Sequence, residues 1–206
     1  MENDVKEFLS ELLKQLKSID YIKPEDIPNI DLYMDQVTTF MDEQLAASKR
    51  YESDKILTKT MINNYAKNNL LPSPDKKKYS KEHVLTLLFI YYFKNILSIN
   101  DIRSILNPLT EKYFGNDDGF TMQDVYTEVF GLEAEESQKL LKDLGKKYKI
   151  AGETFENFPA EDQKFLHTFS FICMLSFDVY IKKMLIERMI DNLNEEKEAS
   201  KKTGSN

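Results

Sequence analysis

One stretch of the chain, residues 80–95, restricts the fold more than any other. It reads SKEHVLTLLFIYYFKN, and its apolar residues from Val84 to Phe93 cover almost the whole circumference of a helix. A helix that is apolar on all sides has to be buried by its neighbours. Ser80 precedes it as an N-cap, with Glu82 in the first turn. The pattern therefore predicts a central helix around which other helices pack.

The rest of the chain is also helical by pattern. Six glycines and six prolines among 206 residues leave few sites for tight turns. Apolar residues spaced by three and four predict an amphipathic helix in residues 1–22, and further helices begin near Asp31, Glu133 and Pro159. A capping box from Ser98 to Asp101 opens another helix, which Pro108 is expected to end. The predicted fold class is mainly all-α.

A second informative stretch runs from Leu57 to Tyr79, with the sequence LTKTMINNYAKNNLLPSPDKKKY. Thr58 is placed to cap a short helix, and the prolines at 72 and 74 require that helix to stop near residues 68–71. The residues at inward helical spacing are Met61, Ile62, Tyr65 and Ala66. The remaining helix positions are polar, and three consecutive lysines precede Tyr79.

A slim polar helix followed by a basic loop suits the major groove of DNA and its flanking phosphates. The interpretation that competes with it is a solvated helix beside an ordinary basic loop. Tyr79 is included either as a packing residue at the base of the loop or as a stacking platform. The candidate DNA-binding residues are Lys59, Thr60, Asn63, Asn64, Lys67, Lys76, Lys77, Lys78 and Tyr79.

The charge distribution agrees with this assignment although the whole chain is acidic. Residues 49–81 contain nine Lys or Arg and three Asp or Glu, a local net charge of +6 in a chain of net charge −7. A basic island of this kind is an electrostatic footprint expected of a nucleic-acid-binding surface.

The order of these motifs resembles the DNA-binding domain of MerR-like winged-helix regulators. The resemblance runs through TMINNYAKNNLLPSP, KKKYSKEHV and SINDIRSIL. Asn69 to Pro72 stand where that family has G-L-L-x-P, Lys77 stands at its wing arginine, and Ser98 stands at its last helix start. LYMDQVT and LTKTMINNYAK are also similar to an uncharacterised bacterial family of unknown function that has been placed near those regulators.

The resemblance implies a winged helix-turn-helix head at residues 30–107 with a recognition helix at 58–69 and a short two-stranded wing at 75–79. It further implies a transcriptional regulator that binds double-stranded DNA as a homodimer. Two departures leave an alternative open, because the family's arginines are Lys77 and Asn63 here, and lysine lacks the fork of arginine. That alternative is a protein-interaction adaptor that kept the fold without binding DNA.

Residues 120–196 are predicted to form a helical C-terminal region that pairs subunits or receives a signal. Its aromatic and methionine residues suit either a core or dimer seam, or a pocket for an unknown small-molecule effector. Residues 197–206 are predicted to be a disordered tail. Cys173 lies in an apolar run and is expected to behave as a small buried hydrophobe.

No motif supports enzymatic chemistry, a cofactor or a metal. A GxSxG elbow, a phosphate-binding glycine loop and paired metal-ligand spacing are all missing from the sequence. The longest apolar-rich stretch, residues 165–177, is shorter than the roughly 20 residues that a bilayer span needs. We therefore expect a non-enzymatic cytoplasmic protein without a membrane partner.

Overall fold

The computed structural model describes residues 22–116 and 119–203, together with Glu7, Ser10, Glu11 and Lys14. The amphipathic helix predicted at residues 1–22 falls almost wholly outside them. The predicted mainly helical fold is confirmed. The helices of the described part are α1 (Met34–Gln44), α2 (Lys59–Lys67), α3 (Lys81–Phe93), α4 (Ile99–Tyr113), α5 (Met122–Gly131), α6 (Glu133–Gly152) and α7 (Ala160–Thr203).

The described residues divide into two compact units. The first contains residues 22–131 and 186–203, and the second contains residues 132–185 together with Glu7, Ser10, Glu11 and Lys14. α7 contributes its C-terminal part to the first unit and its N-terminal part to the second.

The core of the first unit is built around α3, as the sequence predicts. Leu85, Leu87, Leu88 and Ile90 are fully buried although they point to different sides of the helix. α5 packs on α3, with the rings of Phe89 and Tyr126 5.5 Å apart. The sequence predicts a C-terminal region that begins at residue 120, whereas the structure places α5 in the first unit, where its buried residues cover α3.

α4 begins at the predicted capping box but does not end at Pro108. Asp101 donates its backbone N–H to the Ser98 hydroxyl at 3.2 Å, and the helix continues through Pro108 to Tyr113. A proline inside a helix leaves the carbonyl four residues earlier without its usual donor. Here Lys197 Nζ donates to that carbonyl, on Ser104, at 2.8 Å. The substitute donor helps to explain why the helix tolerates the proline.

The same contact corrects the prediction of a disordered tail for residues 197–203, whereas residues 204–206 of that predicted tail lie outside the described residues. α7 continues to Thr203. Ile190 is buried in the core of the first unit, and Lys197 is bonded to Ser104 as described above. Glu, Lys and Ala in the intervening segment also have high helix propensity. Anchoring and propensity together favour the helix over the charged, disordered segment that composition suggested.

Two short strands complete the first unit. β1 (Leu32–Tyr33) precedes α1, and β2 (Lys78–Tyr79) precedes α3. They pair antiparallel in the register Leu32 to Tyr79 and Tyr33 to Lys78. The sheet joins the segment before α1 to the segment that follows α2, and so fixes the lysine cluster beside these helices.

The second unit is a helical hairpin of α6 and the N-terminal part of α7. Lys147 on α6 forms ion pairs with Asp143 and with Asp178 on α7, and these carboxylates raise the pKa of the lysine. The rings of Tyr148 and Phe171 meet edge to face at 5.4 Å. Cys173 is exposed, contrary to the expectation of a buried thiol, because it lies on the side of α7 away from Phe171.

In the part of the chain that the structure describes, we find no helix with both the length and the apolar character to cross a bilayer.

Candidate nucleic-acid interface

The polar helix predicted near residue 58 is α2, and both of its ends are stabilised by local contacts. Thr58 Oγ1 accepts a hydrogen bond from the Met61 N–H at 3.2 Å. At the other end Asn69 has a left-handed φ of 54°, and the Leu70 N–H donates to the Tyr65 carbonyl at 2.9 Å. This is a Schellman-type ending, for which asparagine is the usual alternative to glycine. Asn69 therefore adopts the left-handed conformation at the position where the MerR-like regulators carry glycine.

The two faces of α2 separate as predicted. Ile62 is fully buried, and Tyr65 is 6% exposed with a pKa raised by burial. All five polar candidates on the opposite face are exposed, namely Lys59, Thr60, Asn63, Asn64 and Lys67. The exposed face therefore offers two amides, a hydroxyl and two ammonium groups along one short helix.

One of these residues is already paired within the molecule. Lys59 forms an ion pair with Asp35 at the start of α1, and both side chains are largely exposed. Exposed pairs of this kind contribute about 0–1 kcal/mol and exchange easily with solvent or a ligand. Asp35 nevertheless places a negative charge beside the N-terminal end of the candidate face.

The lysine cluster forms the tip of a tight hairpin. The Lys78 N–H donates to the Asp75 carbonyl at 2.8 Å, and these two residues also form a β-bridge. Lys76 and Lys77 between them have φ angles of 48° and 66°. Two successive left-handed residues define a type I′ turn, which normally carries asparagine and glycine. Both tip lysines are exposed.

Tyr33, which is not among the predicted candidates, forms a pair with the predicted candidate Lys78. They are opposite each other across the two strands, and Lys78 Nζ lies 5.6 Å from the centre of the Tyr33 ring. Tyr33 is 54% exposed, whereas its neighbour Leu32 is buried. The only sequence pattern that could have indicated an exposed Tyr33 is strand alternation, with Leu32 pointing inward and Tyr33 outward. A strand of two residues is too short for this pattern to be recognised.

Tyr79 is the one candidate that the structure removes from the surface. It is only 3% exposed, burial raises the pKa of its hydroxyl, and its ring meets His83 edge to face at 5.5 Å. Strand alternation turns it inward when Lys78 points outward. Of the two roles considered for Tyr79, the structure supports packing at the base of the hairpin. In this conformation the buried ring cannot stack on a DNA base.

The long connection between α1 and α2 is fastened to the core. Lys49 pairs with Asp42 at 2.7 Å, and the Ser48 hydroxyl hydrogen-bonds the Tyr91 hydroxyl. Lys94 Nζ donates to the Ile56 carbonyl at 3.0 Å, and burial lowers the pKa of this lysine. These contacts hold the start of α2 in place despite the length of the connection.

Buried beneath the hairpin, His83 links its base to the start of α3. The Ser80 N–H donates to His83 Nδ1 at 3.0 Å, which leaves the proton of the neutral ring on Nε2. The ring lies edge-on to Tyr79 and, at 4.7 Å, to Phe114. Burial lowers the pKa of His83, against a smaller opposing effect of nearby backbone and of Asp31.

This arrangement predicts a pH-dependent stability. Because the folded pKa of His83 is below its unfolded value of about 6.5, stability is complete above that pH and falls as the pH drops towards the folded pKa, by at most about 1.4 kcal/mol per pH unit. Urea unfolding between pH 7.5 and 5 should show a steeper loss for the natural protein than for His83→Gln. Glutamine keeps a capping acceptor and does not titrate, so equal slopes would contradict this role for His83.

The described residues contain no group of three or more His, Cys, Asp or Glu side chains placed to hold a metal ion. The other histidine, His167, lies in the second unit, with its Nε2 2.8 Å from the Thr154 carbonyl.

Comparison with protein families gives one match. The model of DUF1836, a domain of unknown function, matches residues 22–129, which is more than half of the chain. The chain belongs to the DUF1836 family. The match confirms the expected resemblance to a family of unknown function. The DUF1836 region contains α1 to α4, both strands, the lysine hairpin and nearly all of α5. Comparison with curated proteins and with solved structures found no match.

Proposed function

We propose that this DUF1836 protein is a DNA-binding transcriptional regulator. In this proposal the exposed face of α2 enters the major groove, where Asn63 and Asn64 contact base edges. Lys67, at the end of the same face, contacts the backbone. The hairpin lysines Lys76 and Lys77 contact the adjacent phosphates. No enzymatic step is part of this function.

The observation that carries the proposal is the backbone of the hairpin tip. Lysine in a left-handed conformation costs about 1 kcal/mol, and here two such residues follow each other. Asparagine and glycine would form the same turn with less strain. Strain retained at an exposed position is typical of functional sites. Positive charge at the tip is the property that these two residues have and asparagine and glycine lack.

The order of the elements supports the MerR-like interpretation. A strand precedes α1, α2 follows, and a hairpin whose second strand pairs with that first strand leads into α3. A recognition helix beside a two-stranded wing has this arrangement. The exposed Tyr33–Lys78 pair extends the basic surface from the hairpin towards β1.

Binding of purified protein to double-stranded genomic fragments tests the proposal. We expect Lys77→Glu to weaken binding roughly tenfold and to reduce the salt slope by about one, because one phosphate contact is lost. Lys142→Glu, at an exposed position on α6, changes the net charge equally and serves as the control. Identical weak binding by all three proteins, independent of fragment sequence, would count against DNA as the partner.

A protein-interaction adaptor is the second candidate, and the Lys59–Asp35 pair favours it. Asp35 and the exposed Glu43 place negative charge on α1 beside α2, and such charge repels DNA but suits a basic protein. A stoichiometric protein partner that is retained after nuclease treatment, together with no DNA binding in the preceding assay, would favour the adaptor.

A further inference from the structure

A groove in the first unit lies between α4 and α5 and is lined mainly by apolar side chains. Leu109 and Tyr113 line it from α4, while Val125 and Val129 line it from α5. The groove has a volume of about 610 Å³. Phe120, just before α5, adds a ring to its wall and is 76% exposed. Contiguous apolar surface that is open to solvent is typical of an interaction site.

Local hydrogen bonds hold the backbone on both sides of Phe120. Asn116 Nδ2 donates to the Phe120 carbonyl at 3.2 Å. The next residue, Thr121, caps α5, because its hydroxyl accepts from the Asp124 N–H at 3.3 Å. In return, Asp124 Oδ2 accepts from the Thr121 N–H at 2.8 Å. The exposed ring is therefore already positioned, and little further ordering is needed when a partner binds.

Two exposed carboxylates, Asp124 and Glu128, also line the groove. In the part of the chain that the structure describes, neither forms an ion pair. Hydrogen bonds from the backbone and hydroxyl of Thr121 lower the pKa of Asp124, so this carboxylate is charged at neutral pH. Residues 111–128 contain five Asp or Glu and one Lys, a local net charge of −4. Such a surface repels nucleic acid and attracts a positively charged partner.

The spacing of the residues that line the groove fits a helical partner. Leu109 and Tyr113 are four positions apart on α4, and Val125 and Val129 have the same spacing on α5. The two carboxylates are also four positions apart, so they form a row beside the two valines. Rows of this kind receive the side chains of an amphipathic helix, whose own apolar residues recur at three and four positions. Lysine or arginine at the flank of that helix would meet the carboxylate row.

The chain's own N-terminal segment does not have the charge that this groove requires. Residues 1–20 carry apolar residues at helical spacing, but they contain five Asp or Glu and three Lys, a net charge of −2. Like charges that face each other across an interface are unfavourable. The charge complement of the groove is therefore a basic segment from another protein.

We propose that the α4–α5 groove binds a basic amphipathic helix of a partner protein. The apolar side of that helix packs on Leu109, Tyr113 and Phe120, and its lysines or arginines pair with Asp124 and Glu128. The groove shares no residue with the proposed DNA contacts, although it lies within the DUF1836 region. This inference therefore goes beyond the proposed DNA binding, and either of the two can fail without the other.

Binding of a designed peptide to the full chain tests the groove without DNA. The probe is a fluorescein-labelled peptide of about 18 leucine and lysine residues, long enough to form a helix, with all its leucines on one face. Fluorescence anisotropy measures its affinity, for which we expect a dissociation constant in the micromolar range. A scrambled peptide of the same composition has no apolar face and should bind roughly tenfold more weakly.

Variants of the protein show where the peptide binds. Glu128→Lys places a like charge beside the peptide lysines and should weaken binding roughly tenfold. Phe120→Ser removes the exposed ring and should have an effect of similar size. Glu156→Lys, in the second unit, makes the same charge change as Glu128→Lys and should leave the affinity unchanged. All three positions are exposed, so the fold should survive, which circular dichroism checks.

Three results would overturn the proposal. The first is no binding of the amphipathic peptide even at millimolar protein. The second is equal weakening by Glu128→Lys and Glu156→Lys, which would mean that the peptide responds to the net charge of the protein and not to the groove. The third is a scrambled peptide, or one with glutamate in place of lysine, that binds as tightly as the probe, because the groove would then not recognise a basic amphipathic helix.

Discussion

Replacing the two strained tip lysines by the residues that their turn prefers should make the protein more stable and a weaker DNA binder. In Lys76→Asn/Lys77→Gly the left-handed turn is kept, but its conformational cost falls. We expect the free energy of unfolding to rise by about 1–2 kcal/mol, measured by urea denaturation. At the same time two phosphate contacts disappear. The slope of log affinity against log salt concentration should therefore decrease in magnitude by about two, and the affinity for DNA at 0.1 M salt should fall roughly 50-fold.

The expected changes in stability and in DNA affinity have opposite signs, which separates a lost contact from a damaged fold. Loss of binding through a damaged fold would lower both stability and affinity, whereas loss of a phosphate contact lowers affinity alone. A double variant at two exposed lysines elsewhere, Lys112→Gln/Lys142→Gln, removes the same charge and should leave the affinity nearly unchanged. If the hairpin variant bound DNA as tightly as the natural protein, its lysines would have no part in binding.

Two adjacent residues of α2 should separate folding from recognition. Ile62→Ala removes a fully buried side chain and should lower the free energy of unfolding by about 2–5 kcal/mol, because a cavity remains in the core. Asn63→Ala, one position further on, is exposed and should change stability by less than about 0.5 kcal/mol. The Asn63→Ala substitution should nevertheless reduce the difference in binding free energy between DNA sequences by about 1–3 kcal/mol, since one bidentate base contact is lost.

Thermal denaturation measures the first effect, and competition between a selected DNA site and random DNA measures the second. Asn63→Gln is the control that keeps an amide at the position. If the Asn63→Ala variant kept the natural preference for the selected site over random DNA, Asn63 would have no part in base recognition. If the same variant lost much of its stability, the α2 face would not be the free surface described above.

The central features of the first unit could be predicted because local pattern and tertiary packing agree there. α3 is apolar on all sides and is buried on all sides. The caps at Thr58 and Ser98 depend on residues three positions apart and were therefore visible in the sequence. The separation of α2 into a buried and an exposed face follows from helical spacing alone.

The features that were missed depend on contacts between distant residues. Pro108 remains inside α4 because Lys197, 89 positions further along the chain, donates to the Ser104 carbonyl in place of the missing backbone donor. The pairing of Lys59 with Asp35 needs α1 and α2 to be placed side by side. The left-handed lysines contradict residue preference, so no local rule predicts a type I′ turn at that sequence.

Protection of individual lysines by bound DNA tests directly whether the exposed face of α2 and the hairpin tip form the DNA interface. The natural protein is acetylated at lysine with and without double-stranded DNA, and each site is quantified by mass spectrometry. We expect DNA to slow modification several-fold at Lys67, Lys76 and Lys77, while the exposed Lys112 and Lys142 react as before. Equal modification of all five lysines with and without DNA, or protection confined to the last two, would contradict it.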